Sequence, residues 1–314
     1  SRVAFVKVRR LVLFFVSGWG HFVVFGGGGW GHPYAMFKWA LLAVLSGVPV
    51  VVLGVGVGVL RSPLSRYFVR WTLRMAEYRS YRDRESAQMA EDLGVRQPHV
   101  HSADLAFGLV PDRVAPRREG KRKASKRRGR RVVGISPMAY RDPRVWPRKQ
   151  PDVYRDYVSK LAKLCARLAS SEKYEVVLFA TTRSDMRTVR DVYAEVQKTA
   201  DRLTMDDVSV ASTETIDELF EVVSELEYAV ASRLHGVLLS HLVGCPVVAL
   251  SYDRKVDRHM ESMGQAEYDL SIDDFTVNSC LQTLRGLEMH LEESRAALNS
   301  RVRQHARRVR IDVE

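Results

Sequence analysis

Two stretches far apart in the chain share one grammar: LLAVLSGVPVVVLGVG (Leu41–Gly56) and GVLLSHLVGCPVVALSYD (Gly236–Asp253). Each reads as an apolar helix, a Gly-x-Pro turn and a run of aliphatic residues with the look of a strand. A strand that is apolar on both faces belongs to a parallel sheet covered by helices. Finding the unit in each half restricts the chain to the α/β class. It predicts two doubly wound Rossmann-like domains facing a cleft, with ligands at the carboxyl ends of the strands. A length of 314 residues suits two domains.

The expected divisions are residues 1–115, a basic linker or loop at 116–131, a second domain at 132–275 and a helical segment at 276–314. In the first half, strands are predicted at Leu11–Val16, His21–Phe25, Val48–Leu53, Glu77–Arg82 and His99–Ala103, and helices at Tyr34–Leu45, Pro63–Ala76 and Ser86–Leu93. In the second half the strands are Val132–Ser136, Glu175–Ala180, Tyr228–Ala231 and Pro246–Ser251. A helix carries Val153, Tyr157, Leu161, Leu164 and Leu168 on one face. Thr215-x-x-Glu218 marks a capping box ahead of another, and Leu234–Val243 forms a third.

Charge is uneven. Arg117–Arg131 (RREGKRKASKRRGRR) holds ten Lys or Arg against one Glu, nine units of the chain's net +12. With almost no apolar residue, the run cannot bury a face and reads as a linker, so the overall charge is weak support for nucleic-acid binding. The uncharged run Trp39–Leu60 has 22 residues, enough to span a bilayer, but Gly47-Val48-Pro49 divides it into helix and strand. It is therefore read as a buried α/β layer. Cys165, Cys245 and Cys280 stand at wide, motif-free spacing, which fits neither a disulfide framework nor a zinc site and suggests a reducing compartment.

The residues best placed for chemistry are Ala231-Ser232-Arg233-Leu234-His235-Gly236, between a strand and a helix. Ser232 can cap that helix, whose free N–H groups then face an anion. Arg233 offers a planar fork for phosphate or carboxylate, and His235 can give or take a proton near neutral pH. Capping or pairing with carboxylates explains the same two residues without function. Gly26–Gly29 allows close backbone approach to a ligand, with His32 just beyond it, but matches neither a dinucleotide fingerprint nor a Walker loop. Arg82 precedes Asp83, and an Arg–Asp pair fixing the turn is the favoured role of Asp83. Lys255 is an anion contact and Asp253 an orienting residue at the next strand end. His241 reads as a satisfied core or surface histidine.

In order, Gly26–Gly29, Gly47-Val48-Pro49, Arg82-Asp83-x-x-Ser86, Gly94, Asp104-x-Ala106-Phe107, Ser232-Arg233-Leu234-His235, Gly244-x-Pro246 and Tyr252-Asp253-x-Lys255-Val256 resemble the polysaccharide pyruvyltransferase family. The resemblance spans roughly residues 20–265. It implies the two-domain GT-B glycosyltransferase arrangement and phosphoenolpyruvate as donor to hydroxyls of a sugar in a cell-surface or exopolysaccharide glycan. Arg233 and His235 are then catalytic. Leu234, Arg82, His32, Gly27, Gly28 and Lys255 would join them in binding substrate, with no metal or other cofactor. The family's glycine-rich opening unit is not found, so a segment upstream of Ser1 is expected. A cytoplasmic enzyme is expected; if its acceptor is built on a lipid, as the resemblance suggests, the ten cations of the basic run could make a peripheral contact with anionic membrane, the alternative being a solvated interdomain loop. Two other readings stay open: a nucleotide-sugar-dependent glycosyltransferase of the same architecture, and a non-catalytic anion or nucleic-acid binder acting through the basic run.

Overall fold

The computed structural model describes residues 13–17, 30–58, 60–96, 100–109, 129–146, 149–171, 173–199, 204 and 206–313. The expected strand at His21–Phe25, the glycines Gly26–Gly29 and the basic residues 117–128 lie outside them. The chain forms two compact units, one of Ser1–Pro111 with Arg303–Glu314 and the other of Asp112–Val302.

The second unit is built on a six-stranded parallel sheet. Its strands are β5 (Arg131–Ser136), β6 (Tyr174–Leu178), β7 (Val208–Val210), β8 (Tyr228–Ala231), β9 (Val247–Ser251) and β10 (Asp269–Ser271). They lie in the order β7-β6-β5-β8-β9-β10. That is the dinucleotide-fold order, which reverses direction between β5 and β8. All four residues of β8 and the first four of β9 are buried. Gly134 has no room for a side chain, because a Cβ there would run into Leu226 and Phe179. Helix α4 (Pro151–Ala169) buries Tyr157, Leu161, Leu164, Cys165 and Leu168, most of the face its spacing predicts, but Val153, in the first turn, is exposed. Helices α5 (Asp185–Thr199), α6 (Ile216–Glu225), α7 (Leu234–Leu242), α8 (Arg254–Ser262), α9 (Val277–Met289) and α10 (Leu291–Val313) follow in chain order. The Thr215–Glu218 capping box is present. Arg130, near the end of the basic run, is buried and pairs with Asp207 at 2.7 Å, while Arg131 opens β5.

The first unit holds a four-stranded parallel sheet in the order β1-β2-β3-β4. The strands are β1 (Phe14–Ser17), β2 (Val50–Val55), β3 (Tyr78–Tyr81) and β4 (Val100–His101). Helices α1 (His32–Leu45), α2 (Pro63–Met75) and α3 (Arg84–Asp92) connect them. No helix among the described residues is long and apolar enough to cross a membrane. The uncharged run 39–60 is divided between α1 and β2.

The sequence echo is a structural one. Helix α1 ends with Gly47 at φ 72°, Gly47 N–H donating to the Val44 carbonyl and Val48 N–H to that of Ala43. Helix α7 ends with Gly244 at φ 72°, Gly244 N–H donating to His241 and Cys245 N–H to Ser240. Both are the left-handed glycine cap that satisfies the last helical carbonyls before the chain turns into a strand. The three cysteines are buried and form no disulfide with one another. Burial pushes the Cys280 thiol up to about 12, which makes it chemically inert.

Candidate functional site

Open parallel sheets bind ligands outside the strand ends where the strand order reverses. Here that point lies between β5 and β8, where Ser136 pairs with Ala231 and Ser232 N–H donates to the Ser136 carbonyl at 3.1 Å. Beyond Ala231 the chain turns into α7, with Arg233 at the N-cap and no side chain capping the helix. Ser232 is therefore not the cap the sequence suggests. It sits one residue too early and is buried, with its hydroxyl 2.8 Å from the Tyr157 hydroxyl. Tyr157 in turn accepts from Met138 N–H at 3.2 Å.

The first turn of an α-helix has N–H groups with no intrahelical partner and carries partial positive charge. Beside this one, a Cβ on Gly236 would lie 3.4 Å from Ser136 Oγ and 3.5 Å from Thr181 Cγ2. The helix start thus lies close to both hydroxyl residues. Ser136 Oγ and Thr181 Oγ1 are buried and have no hydrogen-bond partner. Native proteins rarely leave buried hydroxyls unsatisfied, and such groups often mark a ligand position. Ser136, Thr181 and the α7 start therefore form a polar cluster with hydrogen-bonding capacity unused among the described residues.

Arg233, at the α7 N-cap, is held by Asp185. The fully buried Asp185 carboxylate accepts from Arg233 Nη2 at 2.8 Å and from Arg233 Nε, and also from Ala139 N–H at 2.9 Å and Thr182 Oγ1 at 2.8 Å. These bonds fix the Nε–Nη2 edge of the guanidinium and turn its Nη1 edge away from Asp185. Burial works against the charge of Arg233, but Asp185 outweighs it and raises the pKa, so the cation is permanent. Leu234 is buried and His235 half-buried in the same first turn.

Lys255 lies at the start of α8, its ammonium 5.0 Å from the Tyr252 ring centre, and Tyr252 is near enough to act electrostatically on Arg233. Asp253 caps α8 through Lys255 N–H at 3.0 Å, which accounts for it structurally. Among residues the sequence reading passed over, Arg141 follows β5 in the left-handed region at φ 55°. It is the only such non-glycine residue among those described, and its guanidinium lies over Tyr140 and Trp146. Backbone held in that region is concentrated at functional sites.

In the first unit, Arg82 follows β3 and approaches Asp83 at 3.4 Å and Asp104 at 3.8 Å. Gly56 leaves it room, since a Cβ there would lie 2.5 Å from the guanidinium. Asp83 caps α3 by accepting from Ser86 N–H at 2.8 Å and Ser86 Oγ at 2.7 Å, so its favoured role in the turn holds. His32 is the exposed first residue of α1. Gly27 and Gly28 lie outside the described residues. His241 is a buried core histidine, 3.0 Å from His259 Nε2 and 3.2 Å from Gln265 Oε1.

Comparison with known proteins bears on fold and family. The fold is similar to that of the UDP-GlcNAc 2-epimerase of Methanocaldococcus jannaschii, with a TM-score of 0.61 at 6% identity over 90% of this chain and 73% of that one. It is also similar to an α,α-trehalose-phosphate synthase of Burkholderia vietnamiensis, with a TM-score of 0.54 at 14% identity over 98% and 76%. At such identities the likeness shows fold alone, the GT-B type with its parallel α/β units. No curated protein matches the sequence. The family model for polysaccharide pyruvyl transferase matches residues 2–254, and the chain belongs to that family.

Proposed function

We propose that the protein transfers the pyruvyl group of phosphoenolpyruvate to hydroxyls of a sugar in a cell-surface or exopolysaccharide glycan, on the cytoplasmic side of the membrane. The observation that supports this reading is the polar cluster at the strand-order reversal, where two buried hydroxyls adjoin an uncapped helix start and an arginine fixed by Asp185. A small dianion with a carboxylate and a phosphate matches such donors.

In the proposed reaction His235 protonates the methylene carbon of phosphoenolpyruvate, leaving positive character on the carbon that bears the phosphate. One sugar hydroxyl attacks that carbon, the C–O bond to phosphate breaks, and a second hydroxyl completes the ketal. Of the two hydroxyl protons, one balances the new methyl group and the other ends on phosphate. Arg233 and the α7 N–H groups hold the anionic groups as charge shifts toward the departing phosphate. Arg82, His32, Lys255, Gly27 and Gly28 are proposed as further substrate contacts.

Calorimetry with phosphoenolpyruvate on Ser136→Ala and Thr181→Ala tests this reading. A hydrogen bond to a charged ligand contributes about 1.5–3 kcal/mol, so each variant should bind roughly 10- to 100-fold more weakly. Losing a hydroxyl with no protein partner should leave thermal stability unchanged or slightly higher. Unchanged affinity in both folded variants would remove Ser136 and Thr181 from the site.

A further inference from the structure

The first acidic residue of the chain is Glu77, and the 76 residues before it contain nine Lys or Arg. Within this stretch, α1 and α2 pack together through a continuous run of rings. Trp30 meets Tyr34 at 5.1 Å and Phe68 at 5.8 Å, and Phe37 meets Phe68 at 5.1 Å and Tyr67 at 6.2 Å. Tyr67 meets Trp71 at 6.3 Å. Much of the run is open to solvent, with Trp30 66% and Tyr67 52% exposed. The apolar stripe continues along α1 through Leu41 and Val44, one and two turns beyond Phe37, to Leu45 at 63% exposure. On α2, the exposed Arg66, Arg70 and Arg74 form a ridge at four-residue spacing beside Tyr67 and Trp71. Lys38 is exposed on α1, and Arg74 lies over the Trp71 ring.

We propose that this α1–α2 face docks onto an anionic lipid bilayer. Tryptophan and tyrosine favour the headgroup level of a membrane, aliphatic side chains favour the acyl boundary, and neighbouring cations favour anionic headgroups. The face carries all three, and α1 and α2 themselves contain no carboxylate. The nearest in sequence is Glu77, just past α2; α3 carries others, and the Gly94 carbonyl that follows it accepts from Arg74. A nucleic acid would be matched by the arginines and rings but not by Leu41, Val44 and Leu45. A second copy of the same face would set like charges against each other. The inference does not depend on the reaction proposed above and is read without measuring turnover.

The test is co-sedimentation of the intact chain with phosphatidylcholine vesicles, with and without phosphatidylglycerol, at low salt. Binding is expected only with phosphatidylglycerol. It should fall at least about tenfold in Arg66→Glu/Arg70→Glu and in Tyr67→Ser/Trp71→Ser, with folding checked by circular dichroism. If charge reversal unfolds the chain, Arg66→Gln/Arg70→Gln takes its place. Deleting Lys121–Arg128, in the basic run, should leave most of the binding. The proposal is overturned by absence of vesicle binding, by loss confined to the basic-run deletion, by stronger binding to duplex DNA than to vesicles, or by dimerisation that the same substitutions abolish.

Discussion

At the scale of single residues, the account rests on His235 and Arg233. Removing a general acid slows reaction by about 10²–10⁴-fold, so His235→Ala should lose turnover by that factor with an unchanged melting temperature. Arg233→Lys keeps the charge but cannot both hold Asp185 through two donors and present a second edge to a ligand. It should weaken phosphoenolpyruvate binding roughly tenfold or more by calorimetry; equal affinity would return Arg233 to a purely structural ion pair. Both residues are legible in sequence from their place between strand and helix. Asp185, Ser136 and Thr181 are not. Their significance comes from β5, β6 and β8 lying side by side, and residues from 136 to 236 meet there only after the chain folds.

At the scale of elements, the paired glycine caps give a graded test. Alanine in a left-handed conformation costs about 1–2 kcal/mol. Gly47 has open space around it, so Gly47→Ala should show that cost alone in urea unfolding of the first unit. Gly244→Ala should lose more, because its Cβ would sit 2.6 Å from Asn299 Oδ1 and force that side chain aside. Helix α7 also carries a pH dependence. Burial lowers the His241 pKa from about 6.5 to about 3. The unfolded chain therefore binds the proton that the folded one refuses, and stability falls as pH drops from about 6.5 toward 3, by at most about 1.4 kcal/mol per pH unit from this group. His241→Gln should flatten that part of the profile of unfolding free energy against pH. Elements with strong patterns, such as β8 and α2, are read from sequence to within a residue or two. The C-cap motif is legible too, because Gly-x-Pro announces it. The sequence reading places no element at α5 or β7: α5 carries a legible stripe, Val189, Val192 and Val196, all buried at helical spacing, whereas β7 is only three residues long and sets no period.

At the scale of the whole molecule, the chain belongs to the polysaccharide pyruvyl transferase family, and its GT-B type fold is similar to that of a UDP-GlcNAc 2-epimerase and a UDP-forming trehalose-phosphate synthase. The fold does not choose the donor; the local donors around α7 do. A nucleotide-sugar enzyme and a pyruvyltransferase can use the same strand-order reversal, and they differ in what they consume and release. The most direct measurement is phosphate release from phosphoenolpyruvate by the intact protein, across a panel of sugar acceptors, with UDP-sugars offered in parallel. The account predicts acceptor-dependent phosphate release that disappears in folded His235→Ala, and no turnover of the UDP-sugars. Acceptor-dependent UDP release, with phosphoenolpyruvate left intact, would contradict it.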